Sequence, residues 1–154
     1  MDTSKGKDFK GYFKQLEDLL HEYLVKKAPA LPANIKEVIV KFAPWATLVI
    51  LILTLPVIFA VFGLGAILAP FSFLGGITAG TNYIVTLILS AIQLVLEAMA
   101  IPGLFNRAKS AWNLIFYAAL VGAVQNVATF NLGGLIIGTL LSLYILFQVK
   151  EYYK

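Results

Sequence analysis

The sequence predicts an all-α integral membrane protein: four transmembrane helices, with both termini cytoplasmic, preceded by a cytoplasmic amphipathic interfacial helix. Three observations carry this. Of the 154 residues, 60% are hydrophobic and only 13% charged, against about 25% charge in an ordinary soluble domain. The mean hydropathy is +0.85. The charge is also segregated: eight of the twelve lysines and arginines lie in the first 41 residues, and residues 42–149 carry only Glu97, Arg107 and Lys109. This composition excludes a soluble globule, a disordered tail and a nucleic-acid module. The absence of cysteine excludes a disulfide framework, a thiolate nucleophile and a cysteine-based metal site.

Residues 1–41 form the cytoplasmic segment. Phe9, Phe13, Leu16, Leu20 and Leu24 recur at steps of four, three, four and four, with Tyr12, Leu19 and Tyr23 widening the same face and Lys10, Lys14, Glu17, Asp18 and His21 opposite. That periodicity predicts an amphipathic helix over 8–26. Its apolar face suits the membrane surface or a place beneath the chain's own bundle. Residues 8–27 hold four positive and four negative charges, so apolar burial rather than attraction to anionic lipid would hold it there. The polar first 34 residues do not read as a secretory signal. Ala28-Pro29-Ala30-Leu31-Pro32 ends the helix, because proline disfavours helix in the residue before it, and Asn34 is placed to cap the next one.

A membrane-spanning helix needs about 20 apolar residues to cross about 30 Å of hydrocarbon. Four stretches of the 42–149 transmembrane domain qualify, over 42–62, 82–100, 111–128 and 132–148. Thr129-Phe130-Asn131 makes the last two a tight hairpin. Residues 63–81 are apolar but interrupted by Gly63, Gly65, Gly75, Gly76, Gly80 and Pro70, and are expected to hold the end of a long first helix, kinked near Pro56, followed by a Gly-rich outer connection, with a re-entrant loop or an interfacial cap as the alternatives. Four crossings leave all twelve cations on one side, the 150–154 tail included, as the positive-inside rule prefers; a fifth would put Arg107, Lys109, Lys150 and Lys154 outside. Trp45 and Trp112 then fall near the cytoplasmic ends of the first and third spans, and Tyr83 at the outer end of the second, as interface anchors.

The second span carries Asn82, Thr86, Ser90, Gln93 and Glu97. At about 100° per residue these five share a sector of about 80°, a polar line down an otherwise apolar helix. Such a face should point into protein or a wet cavity. It serves either interhelical hydrogen bonding or the lining of a hydrophilic path with Glu97 as its ionisable group, and Arg107 and Lys109 lie close enough in sequence to pair with Glu97. Two small-residue seams complete the domain: Gly134, Gly138 and Ser142 on the fourth span, and Ala118, Gly122 and Asn126 on the third. They suit close packing with each other or with a second copy of the chain. Gln125, Asn126 and Asn131 are placed to cap the outer turn. A short echo, Phe62-Gly63-Leu64-Gly65 against Phe130-Asn131-Leu132-Gly133, is compatible with a parallel repeat.

No HExxH, phosphate loop, GxSxG or Ser/His/Asp set is present, and His21, the sole histidine, falls on a polar face outside the spans. No cofactor and no catalytic or metal-binding residue is expected. The stretch Ile101-Pro102-Gly103-Leu104-Phe105-Asn106-Arg107, with Ala111-Trp112-Asn113-Leu114-Ile115-Phe116-Tyr117, resembles a pattern in small four-span bacterial membrane proteins of uncharacterised activity. That resemblance covers about a quarter of the chain. It implies a bacterial inner-membrane location and carries over no activity. The expected partners are the lipid bilayer and either a second copy or a larger membrane complex, with no nucleic acid. The expected role is structural, scaffolding or accessory, the alternative being a small oligomeric transporter or channel lined by Asn82–Glu97.

Overall fold

In the computed structural model, which describes residues 4–154, the chain is 90% helical with no strand among the described residues. The first helix, α1 (Ser4–His21), continues as a wider π turn over Glu22–Lys27 and stops at Ala28, which is extended (φ −79°, ψ 152°). Pro29 explains the stop. Pro32, not the anticipated Asn34, occupies the N-cap of α2 (Ala33–Phe59). A proline fits there because the first helical N–H groups have no intrahelical acceptor anyway.

The largest departure from expectation lies beyond α2. The long first helix runs further than expected, and the Gly-rich outer loop expected after it reduces to the turn at Gly76. The helix runs on through a π turn at Ala60–Leu64, α3 (Gly65–Ser72) and a 3₁₀ turn at Phe73–Gly75. The result is one continuous 43-residue apolar rod, Ala33–Gly75, about 65 Å long. Pro56 lacks the N–H that would bond the carbonyl of Ile52, and the π turn that follows takes up that irregularity. Gly76 alone breaks the rod. Its φ of 101° is open to glycine and strained for other residues. The chain reverses there into α4 (Ile77–Phe105, 29 residues), which begins before and ends after the expected 82–100. Tyr83 on α4 is not a free interface anchor: its hydroxyl donates to the Gly65 carbonyl at 3.2 Å.

Pro102 and Gly103 do not end α4 as their sequence implies; the helix continues to Phe105. Gly103 serves packing instead, since a Cβ there would stand 2.8 Å from Cβ of Ala111. The reversal comes at Arg107 (φ 52°), and the N–H of Ala108 bonds back to the Gly103 carbonyl at 2.8 Å. Then α5 (Lys109–Ala128) follows. Beyond the expected turn at Thr129–Asn131, a π stretch (Gly134–Thr139) leads into α6 (Leu140–Gln148). The rod Ala33–Gly75, α4 and α5 are each long and apolar enough to cross a membrane, whereas Gly134–Gln148 is a shorter apolar helix.

The helices form a row. α4 packs between α2 and α5, and α6 lies on α5. At one end, which we call the foot, the charged segments meet. The N–H of Lys109 bonds the Lys154 carbonyl at 2.9 Å, the N–H of Lys154 bonds the Arg107 carbonyl at 3.0 Å, and Lys36 pairs with Glu151 at 3.1 Å. The turns at Gly76 and Thr129–Asn131 close the two antiparallel hairpins away from the foot. The buried core also sits at the foot: Val40, Ala100, Leu104, Trp112, Phe116, Phe147 and Tyr153. Trp112 is therefore not an interface anchor but a core residue 1% exposed, stacked on Phe116 with ring centroids 5.3 Å apart. Trp45 remains exposed and meets Phe105 edge-on at 5.2 Å.

Burial pushes the Tyr153 phenol above its ordinary value of 10.0, with Arg107 pulling weakly the other way. A raised phenol favours the neutral form in the folded state, so its contribution is complete below pH about 10 and is lost as pH rises beyond the unfolded value. Alkaline titration of the intact chain is expected to loosen the tail first. Tyr153→Phe should flatten that loss, read as thermal stability between pH 9 and 11.

A polar cluster within the apolar helices

Three members of the predicted polar stripe come together on α4, where Ser90 finds its partner on α5 and Gln93 finds it in Glu97 of the same helix. Ser90, Gln93 and Glu97 are half-buried, one helical turn apart, on the flank of α4 that faces α5. The side chains of Ser90 and Gln125 bond each other, the Gln125 amide lying 3.2 Å from the Ser90 hydroxyl. Gln93 Nε2 donates to Glu97 Oε1 at 3.0 Å. Gly122 leaves room for this arrangement, since a Cβ there would already touch the Gln93 amide at 3.4 Å. Glu97 forms no ion pair with Arg107 or Lys109, the nearest in sequence of its expected counter-charges; the ion pairs among the described residues are Lys27–Glu22, Lys36–Glu151 and Lys150–Glu17.

The other two members lie toward the Gly76 turn, where Thr86 is half-buried and Asn82 is exposed. On its open side the cluster borders a cleft of about 340 Å³ between α2 and the α4–α5 pair, where Thr54 and Ile58 stand opposite Ser90, Gln93, Glu97 and Gln125. Thr54 spends its hydroxyl on the carbonyl of Ile50 in its own helix and adds no donor across the cleft. The groups present can hold a small polar solute or water by hydrogen bonds, with one carboxyl oxygen of Glu97 already taken by Gln93.

The seams behave differently from one another. On α5, Ala118 is buried, Gly122 faces Gln93, and the Asn126 amide donates to Thr139 at 3.3 Å. The fourth segment does not present one ridge, because the π stretch widens the helical step between its members. Gly134 faces Asn126 and Asn131, whereas Gly138 has open space around it and Ser142 is exposed. The two seams therefore do not zip together along their length. Of the residues expected to cap the outer turn, Asn131 does so, accepting from the Gly134 N–H at 2.9 Å. Gln125 and Asn126 turn their side chains to neighbouring helices.

The apolar face of α1 is divided. Phe13, Leu20 and Leu24 pack toward the core at the foot, and Phe13 meets Tyr117 edge-on at 5.7 Å. Phe9 and Leu16 are exposed, together with Tyr12, Leu19 and Tyr23. The residue that fastens this segment went unremarked in the sequence. Gln148, 1% exposed, donates through Nε2 to the Leu24 carbonyl at 2.8 Å and accepts through Oε1 from the Leu31 N–H at 3.2 Å. A lone amide in the last apolar turn of α6 was the available signal. Tyr144 adds a bond to the Pro29 carbonyl at 2.5 Å, and Lys150 pairs with Glu17. Comparison with protein-family models, with curated proteins and with solved structures finds no match to this chain.

Proposed function

We propose that this chain is a four-span, self-associating protein of the cell membrane whose role is structural, scaffolding or accessory to a larger complex rather than catalytic. The observation that carries the reading is where the stripe's hydrogen bonds go. Ser90 on α4 is satisfied by Gln125 on α5, and Gln93 by Glu97 one turn along its own helix, so these polar groups are spent on one another within the α4–α5 pair rather than left free along a path. An interhelical bond of the Ser90–Gln125 kind contributes about 0.6 kcal/mol inside a membrane. The gathering of Lys36, Arg107, Lys109, Lys150 and Lys154 at the foot supports both termini being cytoplasmic, and the resemblance of residues 101–117 to small bacterial membrane proteins supports an inner-membrane location. The first turns of the rod carry Lys36, Glu37 and Lys41 and lie outside the hydrocarbon, and the apolar remainder, still longer than the core is thick, accommodates by tilt together with bending at its π turn. The exposed Gly138–Ser142 side of the fourth segment is the seam offered to a second copy, and Tyr12, Leu16, Leu19 and Tyr23 of α1 face the membrane surface.

One observation favours a second reading, a small oligomeric transporter or channel: the cluster borders an open cleft rather than a sealed interior. Ser90→Leu with Gln93→Leu separates the two. On the scaffold reading, cation and proton flux in liposomes stays at background for both proteins, and the variant loses about 1 kcal/mol of detergent stability or changes its oligomer size. Flux in the parent that disappears from a variant of unchanged size would transfer the cluster to the transport reading.

A further inference from the structure

We infer that the cleft between α1 and α5 is a binding site for one anionic phospholipid of the leaflet on the foot side. The cleft holds about 870 Å³. It opens between the first half of α1 and the flank of α5, where the contact of Phe13 with Tyr117 holds α1 ahead of the Glu17–Lys150 pair. Its two walls differ in chemistry. The α5 wall is apolar, with Leu120, Val121 and Val124 extending the surface that the spans show to lipid, and Phe13 faces it from α1. From Asn113 to Val124 this wall runs about 17 Å, close to half of the ~30 Å hydrocarbon core, which is the depth reached by chains of one leaflet. The α1 wall also carries Lys10 and Lys14, both exposed and neither in an ion pair among the described residues. The one carboxylate lining the cleft, Glu17, is paired with Lys150. Among the described side chains lining the cleft the uncompensated charge is therefore positive, placed beside a leaflet-deep apolar wall. A phosphodiester headgroup on the lysines with its chain along α5 satisfies both walls, whereas a soluble protein partner has no route to the Val124 end.

The inference rests on the chain crossing a membrane, not on its scaffold role, and fails separately from it. The test uses the full chain in neutral detergent, titrated with phosphatidylglycerol or phosphatidylcholine of identical acyl chains. Binding is read by native mass spectrometry and by the shift in melting temperature. Phosphatidylglycerol is expected to bind roughly thirtyfold more tightly, the size of effect two lysines exert near an anionic lipid surface. Lys10→Gln with Lys14→Gln should remove that preference and leave the weaker, chain-dependent binding. Val121→Trp should weaken both lipids, and Lys41→Gln, away from the cleft, should alter neither. Soluble glycerol phosphate, a headgroup without chains, should produce no shift. Equal affinity of the parent for both lipids would overturn the inference. So would a preference that survives the lysine substitutions, a glycerol phosphate effect as large as the lipid's, or a change of oligomer size in place of lipid affinity. Both lysines are exposed, so their replacement leaves the fold intact and the comparison decisive.

Discussion

Replacing Gln148 with leucine is expected to detach the N-terminal arm while the spans stay assembled. Leucine fills most of the same volume and suits an apolar helix, so on burial alone the change looks favourable. The effect comes from what Gln148 leaves behind. The Leu24 carbonyl and the Leu31 N–H, held at 2.8 and 3.2 Å, lose their partner at a half-buried place between α6 and the arm. A fully buried unsatisfied backbone group costs about 1–3 kcal/mol, and two half-buried ones, each partly compensated by water, put the expected loss at about 1–3 kcal/mol of arm docking. Detachment should appear as protease cleavage between residues 22 and 32, where the chain already leaves the helix at Ala28, with the apolar helices still protected. Tyr144→Phe removes a bond to the same linker at an exposed site and should cost less than about 1 kcal/mol. Equal protection of the arm in parent and Gln148→Leu protein would remove Gln148 from this role.

How much of this molecule could be read beforehand depends on which groups meet water. The apolar helices were legible because their side-chain composition has no other stable environment. The continuation of the first helix into 63–81 was legible, but the loop after it was overestimated, because glycine and proline were weighed as they act in water, where an open turn can bond to solvent. Without water the backbone must satisfy itself, and helix is the economical way to do so. Of six interrupting glycines and prolines, only Gly76 adopts a conformation that stops the helix. The polar stripe was legible as a period on one helix, yet its partner Gln125 was not, because 35 residues separate it from Ser90 and nothing local links them. The two tryptophans make the same point. Trp45 and Trp112 carry the same local signal of an aromatic residue at a span end. The first stays exposed, and the second is buried because α1, α6 and the C-terminal tail all converge on it.

That convergence makes Trp112 the residue whose truncation should cost most. Its ring lies 5.3 Å from both Phe116 and Phe147, stacked on one and edge-on to the other. Nε1 donates to the Leu146 carbonyl at 2.8 Å, and the Lys150 ammonium sits 4.9 Å above the ring. Lys150 in turn holds Glu17 of α1. One side chain therefore touches α5, α6, the tail and, through Lys150, the arm. Trp112→Ala removes the contacts and leaves a void, an effect of about 3–5 kcal/mol for a large buried aromatic residue. Trp112→Phe keeps most of the volume and loses mainly the N–H bond, for about 1 kcal/mol. The difference between the two variants measures packing apart from hydrogen bonding, and thermal melting of each in the same detergent reads it. The chain has only two tryptophans, so fluorescence supplies a second readout. Emission from the parent should contain a component shielded from acrylamide, absent from both variants, while the Trp45 component stays quenchable. If Trp112→Ala melts no lower than Trp112→Phe, the foot is not a packed core, and the fastening of α1 to it must rest on Gln148 and the Glu17–Lys150 pair alone.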